Sequence, residues 1–281
     1  MKVVRRLPMA ILCAAVMTMC NLSLAVAGDT DTIRLVSYNI HHCEGMDGKV
    51  NCERTASAIL REKPDFVGIQ EIDRDVPRSG RADQPTELAR LTGMYATFAK
   101  AIPYRGGEYG VAVLSREQPL SVRRTPLPGP ESRVLLLCEF TNCWFGSTHL
   151  DARKRPGDTE PCHVLSARII RKEVAKCAAT KPVFLTGDWN TVPDSPAHAE
   201  MCTFMKVVSD EKKPTNGNLR RVIDYITVDA AHAGDFQVQS ADVTIDHMTS
   251  DHKPVIVSLK RIEEKRQNAD HAEDKTQTGK E

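Results

Sequence analysis

The segment PVFLTGDWN (182–190) decides the expected architecture. Its apolar run is short and stops at Gly187, which is typical of a buried strand. Asp188 and Asn190 follow at once, so the strand presents an acid and an amide at its end. The ordinary role of such a pair is to cap the next helix. Asp194-Ser195 already offers a cap for the following segment, and this favours a site at the edge of a sheet.

Other predicted strands also carry polar residues at or near their ends, and predicted helices separate several of them. This order fits an α/β (α+β) four-layer sandwich, in which two packed, mainly antiparallel β-sheets are flanked by helices. If the strand ends lie on one side, their side chains converge on one site. The strands concerned are TIRLVSYNI (32–40), DFVGIQEID (65–73), EYGVAVLSR (108–116), CWFGSTHLD (143–151) and VIDYITVD (222–229).

The two ends of the chain differ in composition from its middle. Residues 1–27 have a basic start, an apolar stretch and the small residues Ala25-Val26-Ala27, which predicts a secretory signal peptide. Residues 261–281 are charged and lack apolar periodicity, which predicts a disordered tail. The remaining range, 28–260, is long enough for one domain with a sizeable core. We therefore expect a secreted or periplasmic protein.

Charge and cysteine content narrow the possible functions. The chain has 38 Lys+Arg and 37 Asp+Glu, so no global basic field indicates nucleic acid binding. Export favours disulfides, and the spacing suggests the pairs Cys43–Cys52 and Cys138–Cys143. One cysteine stays unpaired among Cys162, Cys177 and Cys202, and the spacing does not say which. The absence of a CxxC pair disfavours a zinc site.

Seven motifs together resemble the endonuclease/exonuclease/phosphatase superfamily, which has the DNase I-like fold, and a secreted bacterial-type member of it. GDWN and SDHKP are the most specific, and all seven occur in the order of that family. The resemblance spans nearly the whole mature domain. It implies hydrolysis of a phosphate ester with a divalent metal, usually Mg²⁺, with Mn²⁺ or Ca²⁺ as alternatives. The motifs are SYNIH (37–41), IQEID (69–73), EYGVAVLSR (108–116), STHLD (147–151), LTGDWN (185–190), VIDYI (222–226) and TSDHKPV (249–255).

The resemblance also implies roles for individual residues. Mg²⁺ prefers oxygen ligands, and the metal ligands by resemblance are Glu71, Asn39 and Asp251. Asp188 matches the residue that positions or deprotonates the attacking water, and the general base itself is left open. The other implied catalytic residues are Asn190 as a phosphoryl donor, His252 buttressed by Asp224, His149 facing the phosphate and Tyr109 as a phenol donor.

Two further groups of residues lie near these motifs. The first group is Arg74, Arg78, Arg81 and Arg153. The default interpretation is that these charges are solvated. Because their loops lie beside the predicted site, the second interpretation is that they contact a phosphate or headgroup. Asp151 is expected to serve only its loop. Adjacent residues on a strand point in opposite directions, so at most one of His41 and His42 is expected to face the site.

The leading hypothesis is therefore an exported divalent-metal-dependent phosphoesterase that acts as a monomer without an obligate protein partner. Its substrate is a phosphate ester, either nucleic acid or a phospholipid headgroup, and endonuclease-type activity is slightly favoured. The alternatives are a phospholipid or inositol-phosphate phosphoesterase and a non-catalytic, toxin-like binding module. A binding module would tolerate loss of any acid in the set, so the intact set argues for an enzyme.

Overall fold

The computed structural model describes residues 32–218 and 220–262, which contain twelve β-strands, four α-helices and three short 3₁₀ turns. The described residues belong to one compact unit. The predicted signal peptide lies outside them, as does the predicted tail except for its first two residues. Strand β12 extends one residue into that tail, to Arg261. Within the described ranges, no helix has the length and apolar character needed to cross a membrane.

The first sheet has six strands in the order β11-β12-β1-β2-β4-β3. Its only parallel pair among these strands is β1 with β2, and the remaining neighbours run antiparallel. The strands are β1 (Thr32–Asn39), β2 (Phe66–Arg74), β3 (Tyr95–Tyr104), β4 (Gly107–Ser115), β11 (Phe236–Val243) and β12 (Val255–Arg261).

The second sheet repeats this plan with the order β5-β6-β7-β8-β10-β9. Here β7 and β8 are the parallel pair described, and the other neighbours are antiparallel. The strands are β5 (Ser121–Leu127), β6 (Arg133–Glu139), β7 (Trp144–His149), β8 (Val183–Asp188), β9 (Met205–Val207) and β10 (Asp224–Asp229).

Three apolar clusters hold these layers together. One lies between the two sheets, where Leu35 and Val257 face Phe145 and Phe184. The second covers the outer face of the second sheet, and the third covers the outer face of the first. Burying one such large side chain stabilises the fold by about 1.5–3 kcal/mol. The sandwich predicted from the sequence is confirmed.

The four helices form the outer layers and begin at residues with capping side chains in three cases. Asn51, Asp83 and Ser195 each accept a hydrogen bond from a backbone N–H in the first turn of the helix that follows. Gly93 ends the second helix with φ 69°, a left-handed conformation that favours glycine. The helices are α1 (Cys52–Arg61), α2 (Gln84–Thr92), α3 (Cys162–Ala178) and α4 (Pro196–Cys202).

The two sheets lie in close contact at Gly68 in β2. A Cβ atom built there would lie 1.7 Å from Oγ1 of Thr186 in β8, so only glycine fits. Two residues further along, Gln70 donates from Nε2 to Oγ of Ser147 at 2.9 Å. Ser147 in turn donates to the carbonyl of Ile69 at 3.1 Å. These buried contacts fix β2 of one sheet against β7 and β8 of the other.

The predicted disulfides are not formed in the structure. All seven cysteines of the described residues are free thiols. Cys43 and Cys52 lie close enough to hydrogen-bond, and this contact, with burial, raises the pKa of the Cys43 thiol. Cys138 and Cys143 do flank the β6–β7 hairpin, as expected, but both thiols are buried in the core between the sheets. Apolar packing therefore accounts for this second pair.

Candidate active site

Strands β1 and β2 bring Asn39 and Glu71 together at one edge of the first sheet. Asn39 is the last residue of β1 and is buried. Glu71 lies within β2, at a β-bulge where the register with β4 shifts between Gln70 and Ile72. Its φ of 57° is left-handed, an uncommon conformation for a non-glycine residue. The strand predicted at 65–73 does not end at these polar residues but continues through the bulge to Arg74.

The second sheet contributes three buried side chains from adjacent strands. Asp188 at the end of β8 pairs with Asp224 of antiparallel β10 and with His149 of parallel β7. Just beyond, Trp189 is fully buried and stacks on Tyr225, with ring centroids 4.3 Å apart. This anchor fixes the segment, so that Asp188 and Asn190 flank a side chain that points into the core. The polar ends predicted to converge do so.

Asn39 joins the two sheets. Its Nδ2 donates to Oε1 of Glu71 at 3.0 Å and to Oδ2 of Asp188 at 3.1 Å. Its backbone carbonyl accepts a hydrogen bond from Oγ of Ser250 at 2.8 Å, and the same hydroxyl accepts from the backbone N–H of His252 at 3.1 Å. One amide thus holds a carboxylate from each sheet beside the loop that carries His252.

His252 forms a buried relay with two aspartates. Its Nδ1 lies 2.9 Å from Oδ2 of Asp224, and its Nε2 lies 3.7 Å from Oδ2 of Asp188. Thr215 donates from Oγ1 to the same Asp224 oxygen at 2.6 Å. The Asn216 amide nitrogen lies 2.9 Å from His252 Nε2. The sequence analysis missed Thr215 and Asn216, which lie in a loop without a motif.

The electrostatics of this relay favour a charged histidine. Burial alone would lower the pKa of His252, but the Asp224 carboxylate outweighs it and, with Asp188 and Asp251, raises that pKa to about 10. Burial and the neighbouring Asp224 raise the pKa of Asp188 to about 7, against the opposing effect of His252. A carboxylate whose pKa is near neutral is well suited to exchange protons with a substrate water.

His149 is neutral, in contrast to the charged His252. Burial, followed by the positive charge of Arg133, lowers its pKa well below the usual value, so its ring is neutral. Asn190 has a left-handed φ of 50°, and its Nδ2 lies 2.9 Å from His149 Nε2 and donates to the carbonyl of Leu150 at 3.0 Å. The Asn190 amide group therefore positions His149. The resemblance implied that Asn190 donates to a phosphoryl oxygen, yet both of its N–H groups already have partners.

Tyr109 is accompanied by a residue that the sequence analysis did not identify. Tyr109 is buried in β4, and burial raises its pKa well above the usual value, while Arg133 acts against the rise by hydrogen bonding. Arg133 begins β6 and is itself 8% exposed, and its Nε has no hydrogen-bond partner. A buried guanidinium with an unsatisfied donor is costly. The available signal was an arginine that opens the apolar strand RVLLLCEF.

The four arginines predicted to bind substrate largely face local carboxylates. Arg78 binds the buried Asp73 through Nε and Nη2, at 2.8 and 2.9 Å, and lies over the rings of Tyr104 and Tyr109. Arg153 binds Asp151 through Nε at 2.8 Å, so this carboxylate has a partner within its own loop. Two others have similar partners, Arg74 with Glu108 and the exposed Arg81 with Asp75. Substrate contact by these four stays a prediction.

The remaining predicted ligand, Asp251, lies on the loop before β12 and is half-buried. Its Oδ1 accepts from Ser250 at 3.4 Å, and its carbonyl accepts from Gly217 at 2.8 Å. The Asp251 charge contributes to the raised pKa of His252. Asp251 therefore belongs electrostatically to the relay, through the Ser250 hydroxyl that also contacts Asn39.

His41 and His42 were expected to point in opposite directions, and this was wrong. They are not on a strand but in a 3₁₀ turn, where His41, His42 and Cys43 all have left-handed φ values of 45°, 44° and 61°. The two rings meet edge to face with centroids 4.5 Å apart. Both imidazoles offer a nitrogen to the same cluster as Glu71.

The acidic groups of the site fit a hard divalent cation. Glu71 and Asp188 each present a carboxylate oxygen to the same Asn39 amide, so carboxylates from two sheets are available at one place. Mg²⁺ is commonly held by one or two carboxylates with water. The trio Asp188, Asp224 and His252 also has ligand atoms within 4.8 Å of one another. Both His252 ring nitrogens already have protein neighbours, so this trio is better arranged to hold a proton.

Comparisons with known proteins agree with this geometry. A sequence profile described as the Endonuclease/Exonuclease/phosphatase family matches residues 36–252. An endonuclease/exonuclease/phosphatase from Beutenbergia cavernae has 24% identity and a TM-score of 0.65, over 82% of this chain and 72% of that chain. A mannosyl-6-phosphatase from Bacteroides thetaiotaomicron has 17% identity and a TM-score of 0.62, over 81% and 99%. The human Nocturnin catalytic domain with bound sulfate has 19% identity and a TM-score of 0.62, over 83% and 95%.

Proposed function

We propose that this chain, which belongs to the endonuclease/exonuclease/phosphatase family, is a divalent-metal-dependent phosphoesterase that hydrolyses its substrate by attack of water. One observation carries the proposal. The Asn39 amide joins Glu71 of one sheet to Asp188 of the other, and the same Asp188 oxygen lies 3.7 Å from His252. A cation ligand, a proton acceptor and a cationic donor are thereby held in one buried group.

The cation in this proposal is held by Glu71, with Asn39 and Asp251 completing its protein ligands. Mg²⁺ is the expected ion, with Mn²⁺ and Ca²⁺ as alternatives, because the available side chains offer oxygen atoms. When bound, such an ion polarises the phosphoryl group and stabilises the charge that develops on it.

The protein groups divide the remaining tasks. Asp188, with its pKa near 7, orients the attacking water and accepts its proton. His252 stays protonated and stabilises the developing negative charge, and Asp224 fixes its ring through Nδ1. In this proposal, phosphoryl oxygens are contacted by neutral His149, which Asn190 positions, and by Arg133 beside Tyr109.

Two substrate classes contain a suitable phosphodiester bond, namely nucleic acids and phospholipid headgroups. The sequence slightly favoured endonuclease-type activity. One observation of the structure supports the lipid class, which the sequence analysis gave as the alternative. Met46 and Met248 are each about half exposed and meet through a backbone hydrogen bond of 2.9 Å, and Ile245 is 85% exposed nearby. Ile245 and Met248 lie on the loop that leads to Asp251, and an exposed apolar group so close to a site residue supports contact with a lipid.

Metal-dependent cleavage is tested on the purified mature protein with bis-p-nitrophenyl phosphate, with Mg²⁺ and with a chelator. We expect turnover with Mg²⁺, its loss with chelator and its return on adding Mg²⁺ back. The same protein is then given plasmid DNA, phosphoinositide vesicles and inositol phosphates. Silence on every substrate would instead support the non-catalytic binding module.

Export is a separate part of the proposal and rests on residues 1–27 alone. The test is to express the full chain in a bacterium and to separate cytoplasm, periplasm and medium. A mature form that begins at Gly28 and is found outside the cytoplasm is expected. Retention of the full-length chain in the cytoplasm would contradict export without affecting the catalytic proposal.

A further inference from the structure

We propose that His41, His42 and Glu71 form a second metal site, selective for a transition-metal dication such as Zn²⁺, next to the oxygen-rich site. The inference goes beyond the proposed function, with which it shares only Glu71. One ligand atom from each of the three residues lies within 4.8 Å of one from each of the others. Ligand atoms bound to one ion at about 2.0–2.2 Å lie at most about 4.4 Å apart, so small side-chain rotations would bring all three onto one ion.

The backbone holds both imidazoles in place before any ion arrives. Three successive left-handed residues, His41 to Cys43, turn the chain so that adjacent side chains meet on one side. The His41 N–H donates to Oδ1 of Asn39 at 3.1 Å, and Nε2 of the buried Gln84 donates to the His42 carbonyl at 2.6 Å. A conformation of this kind persists only where its surroundings determine it, and such strain concentrates at ligand sites.

The environment of His42 supplies the observation that points to a ligand. Its side chain is 4% exposed, and its Nε2 lies 3.2 Å from Oε2 of Glu44. Its Nδ1 is buried and has no hydrogen-bond partner. A histidine that binds a metal through one nitrogen usually donates the other N–H to a carboxylate. His42 has that carboxylate, and the remaining nitrogen of its ring lacks any partner.

The ligand set selects the metal. Two imidazoles and one carboxylate suit Zn²⁺ and other first-row transition dications, whereas Mg²⁺ prefers oxygen ligands. The three protein ligands leave further coordination positions for water or a substrate oxygen, as in catalytic zinc sites. The chain therefore offers two sites of different chemistry that share the Glu71 carboxylate.

The test is a Zn²⁺ titration by calorimetry of the chelator-treated full chain in excess Mg²⁺. We expect one Zn²⁺ per chain, with affinity reduced at least about tenfold in His41→Ala and in His42→Ala. His41→Ala is the safer variant because His41 is only half-buried. The matched control is His232→Ala, whose half-buried ring binds Asp229 far along the chain and which is expected to leave affinity unchanged.

Two outcomes would overturn the site. One is wild-type affinity in both folded His41→Ala and His42→Ala. The other is loss of binding in Cys52→Ser with binding retained in His41→Ala, which would place the ion on the Cys43 and Cys52 thiols. Zn²⁺ binding that depends on His41 in a protein without phosphoesterase activity would support this site while contradicting the proposed function. Mg²⁺-dependent turnover without a Zn²⁺ site would do the reverse.

Discussion

The buried relay and the four arginines near the site show two different uses of charge. The relay comprises Asp188, His252, Asp224 and Thr215. Its polar side chains contact one another, and its charged members can exchange protons. The four arginines, Arg74, Arg78, Arg81 and Arg153, each have a carboxylate of their own. A charge that already has a partner contributes mainly to local structure. The comparison teaches that a residue's neighbours, rather than its type or its distance along the chain, determine whether it can act.

The largest loss of activity is expected on substitution of Glu71, the carboxylate that the first sheet contributes beside the relay. Glu71→Gln removes the charge that holds the cation, and we expect kcat/KM to fall by about 10⁴-fold or more. Turnover of bis-p-nitrophenyl phosphate and calorimetric Mg²⁺ affinity measure the effect. Glu87→Gln is the matched control, since Glu87 pairs with Arg90 on the surface of α2. Turnover within about tenfold of wild type in Glu71→Gln would exclude Glu71 as the principal ligand.

A smaller but still severe loss is expected when the relay loses its outer aspartate. Asp224→Asn should lower kcat by about 10³-fold, because the ring of His252 loses the group that orients and charges it. The same variant should lower the pKa of His252. Asp224 raises the pKa of His252 to about 10, so the variant should become neutral at lower pH, and activity should fall earlier on the alkaline side. NMR titration of His252 provides the readout, and an unchanged pKa would contradict the relay.

Arg133 tests the comparison in a different way, because its guanidinium is buried near Tyr109 and its Nε has no hydrogen-bond partner, although its Nη1 pairs with Glu131 at 2.8 Å. We expect Arg133→Lys to lower kcat/KM by about 10²-fold, the effect of removing one donor to a developing charge. Steady-state kinetics separate kcat from KM, and circular dichroism checks the fold. Arg123→Lys, on the exposed side of β5, is the control. Equal kinetics in the two variants would show that Arg133 contributes no more to turnover than an exposed arginine does.

Thr215 should have a moderate effect because it acts through Asp224. Thr215→Val keeps the shape of the side chain but removes the 2.6 Å hydrogen bond to the carboxylate. We expect kcat to fall by about 10-fold to 100-fold with KM unchanged. Thr215→Ser should restore most of the activity, since the hydroxyl returns. Failure of Ser to rescue would indicate that the methyl group, and so packing, is what matters.

The smallest effects are expected at the paired arginines. Arg81→Ala and Arg153→Ala should change kcat/KM on bis-p-nitrophenyl phosphate by less than about threefold, because each charge already has a local carboxylate. The same variants on plasmid DNA sharpen the comparison. A loss of more than tenfold on DNA alone would show that these arginines bind a long polyanion despite their partners.

Much of the fold followed from local sequence patterns. Strand β8 is a continuous apolar run, α3 has helical periodicity, and Ser195 lies at the start of α4 as a cap. Strand β3 was missed, because YATFAKAIPY alternates weakly, and six of its ten residues are half-buried. Its pairing with β4 over the whole strand determines its structure, and such long-range pairing is not visible in local propensity.

The site was predictable where a motif carried it and not elsewhere. Asp188, Asn190 and His252 lie in GDWN and SDHKP, and the structure brings them together. The joint orientation of His41 and His42 depends on three left-handed residues, and nothing in their types announces that backbone. The pairing of Arg78 with Asp73 also escaped prediction, because it depends on the bulge at Glu71 and the turn that follows β2.

The close approach at Gly68 has a consequence for how such a protein can change over time. Each sheet carries half of the site residues, so the contact between Gly68 and Thr186 fixes the position of one half relative to the other. Loops beyond the strand ends can lengthen or change sequence without moving that contact. Substrate preference is therefore free to diverge among relatives, whereas a single methyl group added at Gly68 would move the two halves of the site out of alignment.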